Sequence, residues 1–340
     1  MQRYEIRVRT TYIFLLSLLL AAFPSAAQSR FSSAENAAAN VVYPAGLRSD
    51  VEFLCSDVCE GRASGSAGGV RTSYWIKNRF VKWKLIPMEQ NYYLFSQAGE
   101  NGPLVHSVAG MVEANFWLDE GKYIIVCAHS DGLGTMNGKC YPGADSNASG
   151  VVATMQLAHL FSSMKMLGRA GSTSLIFILL DGKERQSAGA KDLVSRIQEG
   201  RFKDPRNGKT IGEKDIRMLV NIDQVGATLF PVHKGQNEYL MMLGNDRLKN
   251  GLSETANTIR RECGGKMDLC FDYYGSKSFT DTFYRLADRE ALGSCSFPMI
   301  YFTSGITLNN NKPSDTPDTL DYEVFKERIL FIFHWLCRII

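Results

Sequence analysis

The chain has 340 residues, 45% hydrophobic and 21% charged, with a formal net charge of +3. This is the composition of a globular protein with a real core. No basic cluster supports nucleic-acid binding, and nothing after the leader is apolar enough to span a membrane.

The first segment reads as a targeting signal. Arg3, Arg7 and Arg9 make a basic start, Tyr12 to Phe23 is a leucine-dominated run, and Ser25-Ala26-Ala27 offers small residues for cleavage before Gln28. Residues 1–27 are therefore expected to be a signal peptide and the protein to be exported, periplasmic or secreted. An uncleaved anchor is the weaker alternative. Residues 28–44 read as an N-terminal tether and 45–340 as one large domain. Eight cysteines permit disulfides in an exported chain. The close pairs are Cys55 with Cys59 and Cys263 with Cys270, but buried thiols explain them equally well. No CxxC pair suggests a zinc ribbon or a redox site.

A short helix is expected around Leu47, Val51, Phe53 and Leu54. A flexible loop follows over 60–69, then an amphipathic helix over Val70–Trp83 with Tyr74, Ile76, Phe80 and Val81 inward. Tyr92–Phe95 and His106–Glu113 read as strands with no helix between them, hence an antiparallel edge. Tyr123–Ala128, Ser174–Leu180, Met218–Asp223 and Phe297–Phe302 read as buried strands. Helices are expected at 151–161, 188–196, 246–262, 279–287 and 322–338. The alternation predicts an α/β fold with a mixed, mainly parallel central sheet covered on both faces.

Each buried strand ends in polar groups. His129 and Asp131 follow the first, Asp181-Gly-Lys183-Glu184 the second, Asp223 the third, and the stretch to Asn311 and Asp318 the fourth. The turn Tyr141-Pro-Gly-Ala-Asp-Ser-Asn-Ala-Ser-Gly150 forms an elbow between strand and helix. In open α/β sheets, ligands bind at the carboxyl ends of strands. Taken singly, such residues are commonly turn formers and helix caps. Four successive strand ends favour a site, with a hard metal or zinc as the suggested ion. His106, His159, His233 and His334 fall in no motif. His159 and His334 read as surface or capping groups, and His233 as a loop residue able to approach the cleft. Trp75, Trp83, Trp117 and Trp335 read as packing. Phe271-Asp-Tyr-Tyr-Gly275 reads as packing or a pocket wall.

Five motifs carry a resemblance: Ala128-His-Ser-Asp131, Pro142–Gly150, Asp181-Gly-Lys-Glu184, Asn221-Ile-Asp-Gln-Val-Gly226 and Lys312-Pro-Ser-Asp-Thr-Pro-Asp318. In this order they resemble the M28 family of zinc aminopeptidases, as does Leu54–Arg62 followed by Gly65-Ser-Ala-Gly68. The resemblance implies a three-layer zinc-peptidase-like sandwich and a two-zinc site with a bridging carboxylate and a glutamate base. It makes His129 and Asp223 ligands of the first metal, Glu184 a ligand of the second, and Asp131 the carboxylate that orients His129. Three positions depart from the pattern. Ser146 stands where the bridging aspartate is expected, with Asp145 one residue early. Lys183 stands at the general base, and Asn311 at a histidine ligand. A serine does not bridge zinc ions as a carboxylate does, and a protonated lysine neither accepts a proton nor tolerates a nearby dication.

The reading is thus an exported pseudopeptidase that keeps an aminopeptidase cleft, binds zinc weakly or not at all, and takes a peptide or protein ligand. Lys183 would neutralise Glu184 and Asp223 in place of metal. One alternative is an active zinc aminopeptidase with altered ligands, for example with Asp145 swinging into the bridging position. The other is glutaminyl cyclase-like amide chemistry.

Overall fold

In the computed structural model, the described residues are 31–116, 123–230, 233, 235–244, 251–286 and 289–340. The signal segment expected over 1–27 and Trp117 lie outside them. The helices are α1 (Ser33–Ala39), α2 (Pro44–Leu54), α3 (Ala67–Lys82), α4 (Ser149–Met166), α5 (Ala188–Gln198), α6 (Leu252–Glu262), α7 (Lys277–Leu286), α8 (Arg289–Leu292) and α9 (Tyr322–Ile339). The strands are β1 (Ile86–Pro87), β2 (Tyr93–Gln97), β3 (Leu104–Val112), β4 (Tyr123–His129), β5 (Gly134–Met136), β6 (Lys139–Tyr141), β7 (Ser174–Leu180), β8 (Ile216–Ile222), β9 (Tyr239–Leu243), β10 (Asp268–Cys270) and β11 (Met299–Thr303).

The main sheet runs β1-β3-β7-β4-β8-β11-β9-β10, with β2 also on β3. Its centre is parallel: β4 pairs with β7 and β8, and β8 with β11. Every residue of β4 and β7 is buried, as expected where helices cover both faces. The anticipated edge is present, since β3 is antiparallel to β1, β2 and β7. At the other end β9 runs antiparallel to β11 and carries β10. A separate hairpin joins β5 to β6. Strands β9 and β10 and this hairpin were not anticipated. Tyr-Leu-Met-Met-Leu is a short apolar run whose periodicity does not separate strand from helix.

One helical layer contains α4, whose long face is buried almost all round, because it lies between sheet and helices. Phe161 on α4 meets Phe177 of β7 at 6.4 Å and Phe333 of α9 at 5.1 Å. On the opposite face Ile125, Ile176 and Ile178 join Leu193 and Ile197 of α5 and Phe283 of α7 in one apolar cluster.

Several expectations are corrected by packing. On α3, Gly68, Thr72, Ile76 and Phe80 form the buried stripe at four-residue spacing, while Tyr74 and Val81 face solvent. Residues 34–44, expected in the tether, belong to the folded unit. Ala34–Ile340 form one compact unit, α1 starts at Ser33 and α2 at Pro44. Buried Glu35 on α1 lies 3.1 Å from His334 Nδ1, so His334 is a core residue rather than a surface one. His159 stacks on Trp83 with ring centroids 4.7 Å apart. No disulfide joins the eight cysteines. Among the described residues no helix is long and apolar enough to cross a membrane.

Candidate active-site cleft

The strand ends converge. His129 is the last residue of β4, Lys183 and Glu184 follow β7, and Asp223 follows β8. Together with Ser146 from the elbow and Asn311 from the segment after β11, they line one cleft of about 210 Å³. Gln224, Phe283, Tyr301, Ile306 and Asn310 complete its walls. Glu184 also borders a neighbouring cleft of about 540 Å³ formed by the Glu60–Ser66 loop and the β5 segment.

The elbow is held almost wholly through backbone groups. Asp315 accepts from the N–H groups of Asp145 at 2.9 Å and Ser146 at 3.0 Å. Asn147 donates to the carbonyls of His129 and Ile222 and accepts from the N–H groups of Gly150 and Gln224. It thereby ties the ends of β4 and β8 to the start of α4. Gly150 is required there, because a Cβ would meet Asn147 Oδ1 at 2.3 Å and the Ile222 carbonyl at 2.6 Å. The Ser146–Asn147 peptide is cis. Arg62, 1% exposed, donates to the carbonyls of Leu54, Ser130, Pro142 and Gly143. It fixes the N-terminal segment to both sides of the cleft.

Asp145 does not face the cleft. Its Oδ1 accepts from Gly226 N–H at 2.9 Å, Ala227 N–H at 3.1 Å and Ser149 hydroxyl at 3.0 Å. Oδ2 is buried without a partner. Burial, reinforced by the charge of Asp315, pushes its pKa up to about 6. This overturns the expectation that Asp145 could swing into a bridging position: leaving its place would strand two backbone donors.

His129 Nε2 lies 3.5 Å from Asp223 Oδ1. On the other side its Nδ1 lies 3.1 Å from the Asp131 carbonyl and 3.8 Å from that residue's carboxylate. The carbonyl is therefore the closer orienting group. The Asp131 carboxylate accepts from the N–H groups of Lys183 and Glu184, both at 2.9 Å, and so holds the β7 turn against β4. Burial alone would lower the His129 pKa, but the surrounding carboxylates, Asp223 foremost, push it up to about 10. Burial alone would raise Asp223, but the charges of His129 and Lys183 and the Tyr301 hydroxyl hold it below the carboxylate range. Burial raises Glu184, and the charges of His129 and Lys183 oppose that rise. Lys183 thus acts electrostatically on both carboxylates.

Zinc is bound by thiolate, imidazole and carboxylate, and only part of the cleft is of these types. Its ammonium, hydroxyl and amide at Lys183, Ser146 and Asn311 leave His129, Asp223 and Glu184. Among the described residues no group of three His, Cys, Asp or Glu side chains is placed to hold a metal ion.

The residues that sequence reasoning passed over are supporting ones. Tyr301 donates to Asp223 at 3.2 Å, and its only signal is being the sole hydroxyl-bearing residue in Phe297–Phe302. Ser64 donates to Asp181 at 2.7 Å and approaches Asp131 at 3.1 Å, a role invisible in a loop read as flexible. His233 pairs with Asp268 and does not line the cleft. Tyr273 stacks on Phe283 at 3.7 Å, so the aromatic stretch is packing behind a cleft wall.

The model of peptidase family M28 matches residues 108–327. No curated protein matches in sequence. Among solved structures, LapB from Legionella pneumophila superposes with a TM-score of 0.67 at 18% identity, over 92% of this chain and 76% of its own. BSAP, a zinc aminopeptidase from Bacillus subtilis, gives 0.62 at 12% over 87% and 95%. A glutaminyl cyclase from Macrostomum lignano gives 0.66 at 17% over 94% and 96%. These likenesses carry the fold: the α/β sandwich with a mixed central sheet is shared.

Proposed function

The chain belongs to peptidase family M28, and from that premise we propose that it is an exported pseudopeptidase: a protein that binds a peptide or protein ligand in an aminopeptidase-shaped cleft without two-zinc hydrolysis. The observation that carries this reading is Lys183. It lines the cleft beside Glu184 and Asp223 and lowers the proton affinity of both. An ammonium at this place does part of what a metal cation would do for the carboxylates, and it opposes entry of a dication. It also removes the carboxylate that would take a proton from attacking water. Ser146 and Asn311 act in the same direction, since neither is an anionic or imidazole ligand. The same three residues count against a zinc aminopeptidase with altered ligands and against cyclase-like amide chemistry.

Metal content of the purified protein and turnover of a panel of aminoacyl p-nitroanilides with added zinc test the reading together. Sub-stoichiometric zinc and no turnover are expected. Chelator-sensitive turnover overturns it. Ser146→Asp, Lys183→Glu and Asn311→His made together should restore stoichiometric zinc binding, measured by mass spectrometry of the metal.

A further inference from the structure

A separate space lies among helices and shares no residue with this cleft. It is a cavity of about 560 Å³ between α2, the end of α3 and the outer half of α4, within the usual range for small-molecule sites. Gly150 at the elbow and His159 in the cavity are nine residues apart on α4, about 14 Å along its axis.

Its charges are unequal. The one carboxylate, Asp50, is 6% exposed. It accepts from Arg79 at 2.8 Å and Gln156 at 3.1 Å, so Arg79 is already matched. Lys82 and Lys84 also line the cavity. Among the described residues neither makes a salt bridge with a carboxylate. Lys84 holds a positive φ of 57° in the turn that closes α3. His159 lies flat on Trp83, the ring planes 11° apart. Burial first, then the charges of Lys82 and Arg79, lowers its pKa to about 4. At neutral pH it adds an aromatic wall and no charge. Tyr43, 58% exposed, and Met166, 72% exposed, stand at the rim.

We propose that this cavity binds a small amphiphilic anion, its acidic head between Lys82 and Lys84 and its apolar body against Tyr43, His159 and Met166. The two lysines account for the head, because Arg79 and Gln156 already hold Asp50 and the charge of Lys82 reaches it only from beyond salt-bridge distance. The exposed rim accounts for the body, because an inorganic anion would leave it uncovered.

Titration calorimetry on the mature chain with octyl phosphate, kept below its micelle concentration, tests the assignment against inorganic phosphate and 1-octanol. Saturable one-to-one binding of octyl phosphate, at least tenfold tighter than either fragment, is expected. Lys82→Ala with Lys84→Ala should weaken it tenfold or more while the thermal midpoint stays within a degree or two. Binding no tighter than inorganic phosphate, or unchanged in the double variant, overturns the site. Flotation with phosphatidylglycerol vesicles identifies the source. Flotation lost in the double variant places the head on a lipid; octyl phosphate binding without flotation places it on a free molecule.

Discussion

Asp145→Asn separates a structural carboxylate from a displaced metal ligand. Asp145 is 1% exposed and accepts three hydrogen bonds through one oxygen. Its pKa is pushed from 3.8 to about 6, a difference of about 3 kcal/mol between the two protonation states. The sign follows from proton binding. Between pH 4 and 6 the folded state holds the proton more tightly than the unfolded one, so stability falls as pH rises through that window. Asparagine keeps the accepting oxygen and does not ionise. The stability of the variant relative to the parent should therefore rise by about 3 kcal/mol from pH 4 to pH 6 and then level off. Taking the difference removes the contribution of Asp181, whose pKa is also raised to about 6. Urea denaturation at half-unit pH steps gives it, provided the slope with denaturant is unchanged. A pH-independent difference would refute the placement of Asp145. So would loss of zinc by the Asn variant in the background that restores Asp, Glu and His at 146, 183 and 311.

Arg62→Met should destabilise the fold by about 1 kcal/mol or more, because the buried Leu54 carbonyl loses its side-chain donor, while the half-buried Pro142 and Gly143 carbonyls keep Cys55 Sγ and Ala148 N–H; an effect under about 0.5 kcal/mol in urea denaturation rules out its clamping role. The His129 imidazole should titrate near pH 10 by NMR after dialysis against a chelator. Because its folded pKa is raised, its pairing with Asp223 stabilises fully below about pH 6.5 and that stability is lost as pH rises through 10; Asp223→Asn should bring the titration down by well over a unit, and an unmoved titration contradicts the pairing. Lys183→Met should raise the pKa of both Asp223 and Glu184, read by carboxyl NMR shifts, and a change in neither would remove the electrostatic argument.

The sheet centre was readable because fully covered parallel strands are continuous apolar runs, as in Ser174–Leu180. Much of the site was readable for the same reason: His129, Lys183, Glu184 and Asp223 sit at the ends of those runs or within four positions past them. What could not be read was side-chain direction. Asp145 and Ser146 are neighbours in one turn, yet one faces the interior and the other the cleft. Only the bonds to Gly226 and Ala227, more than eighty positions away, decide which. Arg62 and Ser64 were hidden because a loop rich in glycine and serine looks mobile until its polar groups find strand-end partners. His334 looked like a surface group because its partner, Glu35, lies on a helix some three hundred residues earlier.

The clamps that shape the cleft reach Ser146 and Lys183 through their backbone N–H groups, from Asp315 and Asp131. None of these bonds needs the present side chain. The three reverting substitutions should therefore leave the backbone in place while changing the charge of the cleft. Replacing Lys by Glu removes two positive charges' worth, and Ser by Asp one more. Without metal the revertant then crowds carboxylates that Lys183 now offsets, and it should be less stable than the parent. With zinc at a hundred times its dissociation constant, binding should return about 2.7 kcal/mol. The revertant's thermal midpoint should depend on zinc and the parent's should not. If both respond to zinc alike, the cleft of the natural protein holds metal despite Lys183, and the pseudopeptidase reading fails. If neither responds while the revertant remains folded, the defect lies in the shape of the elbow rather than in its ligands.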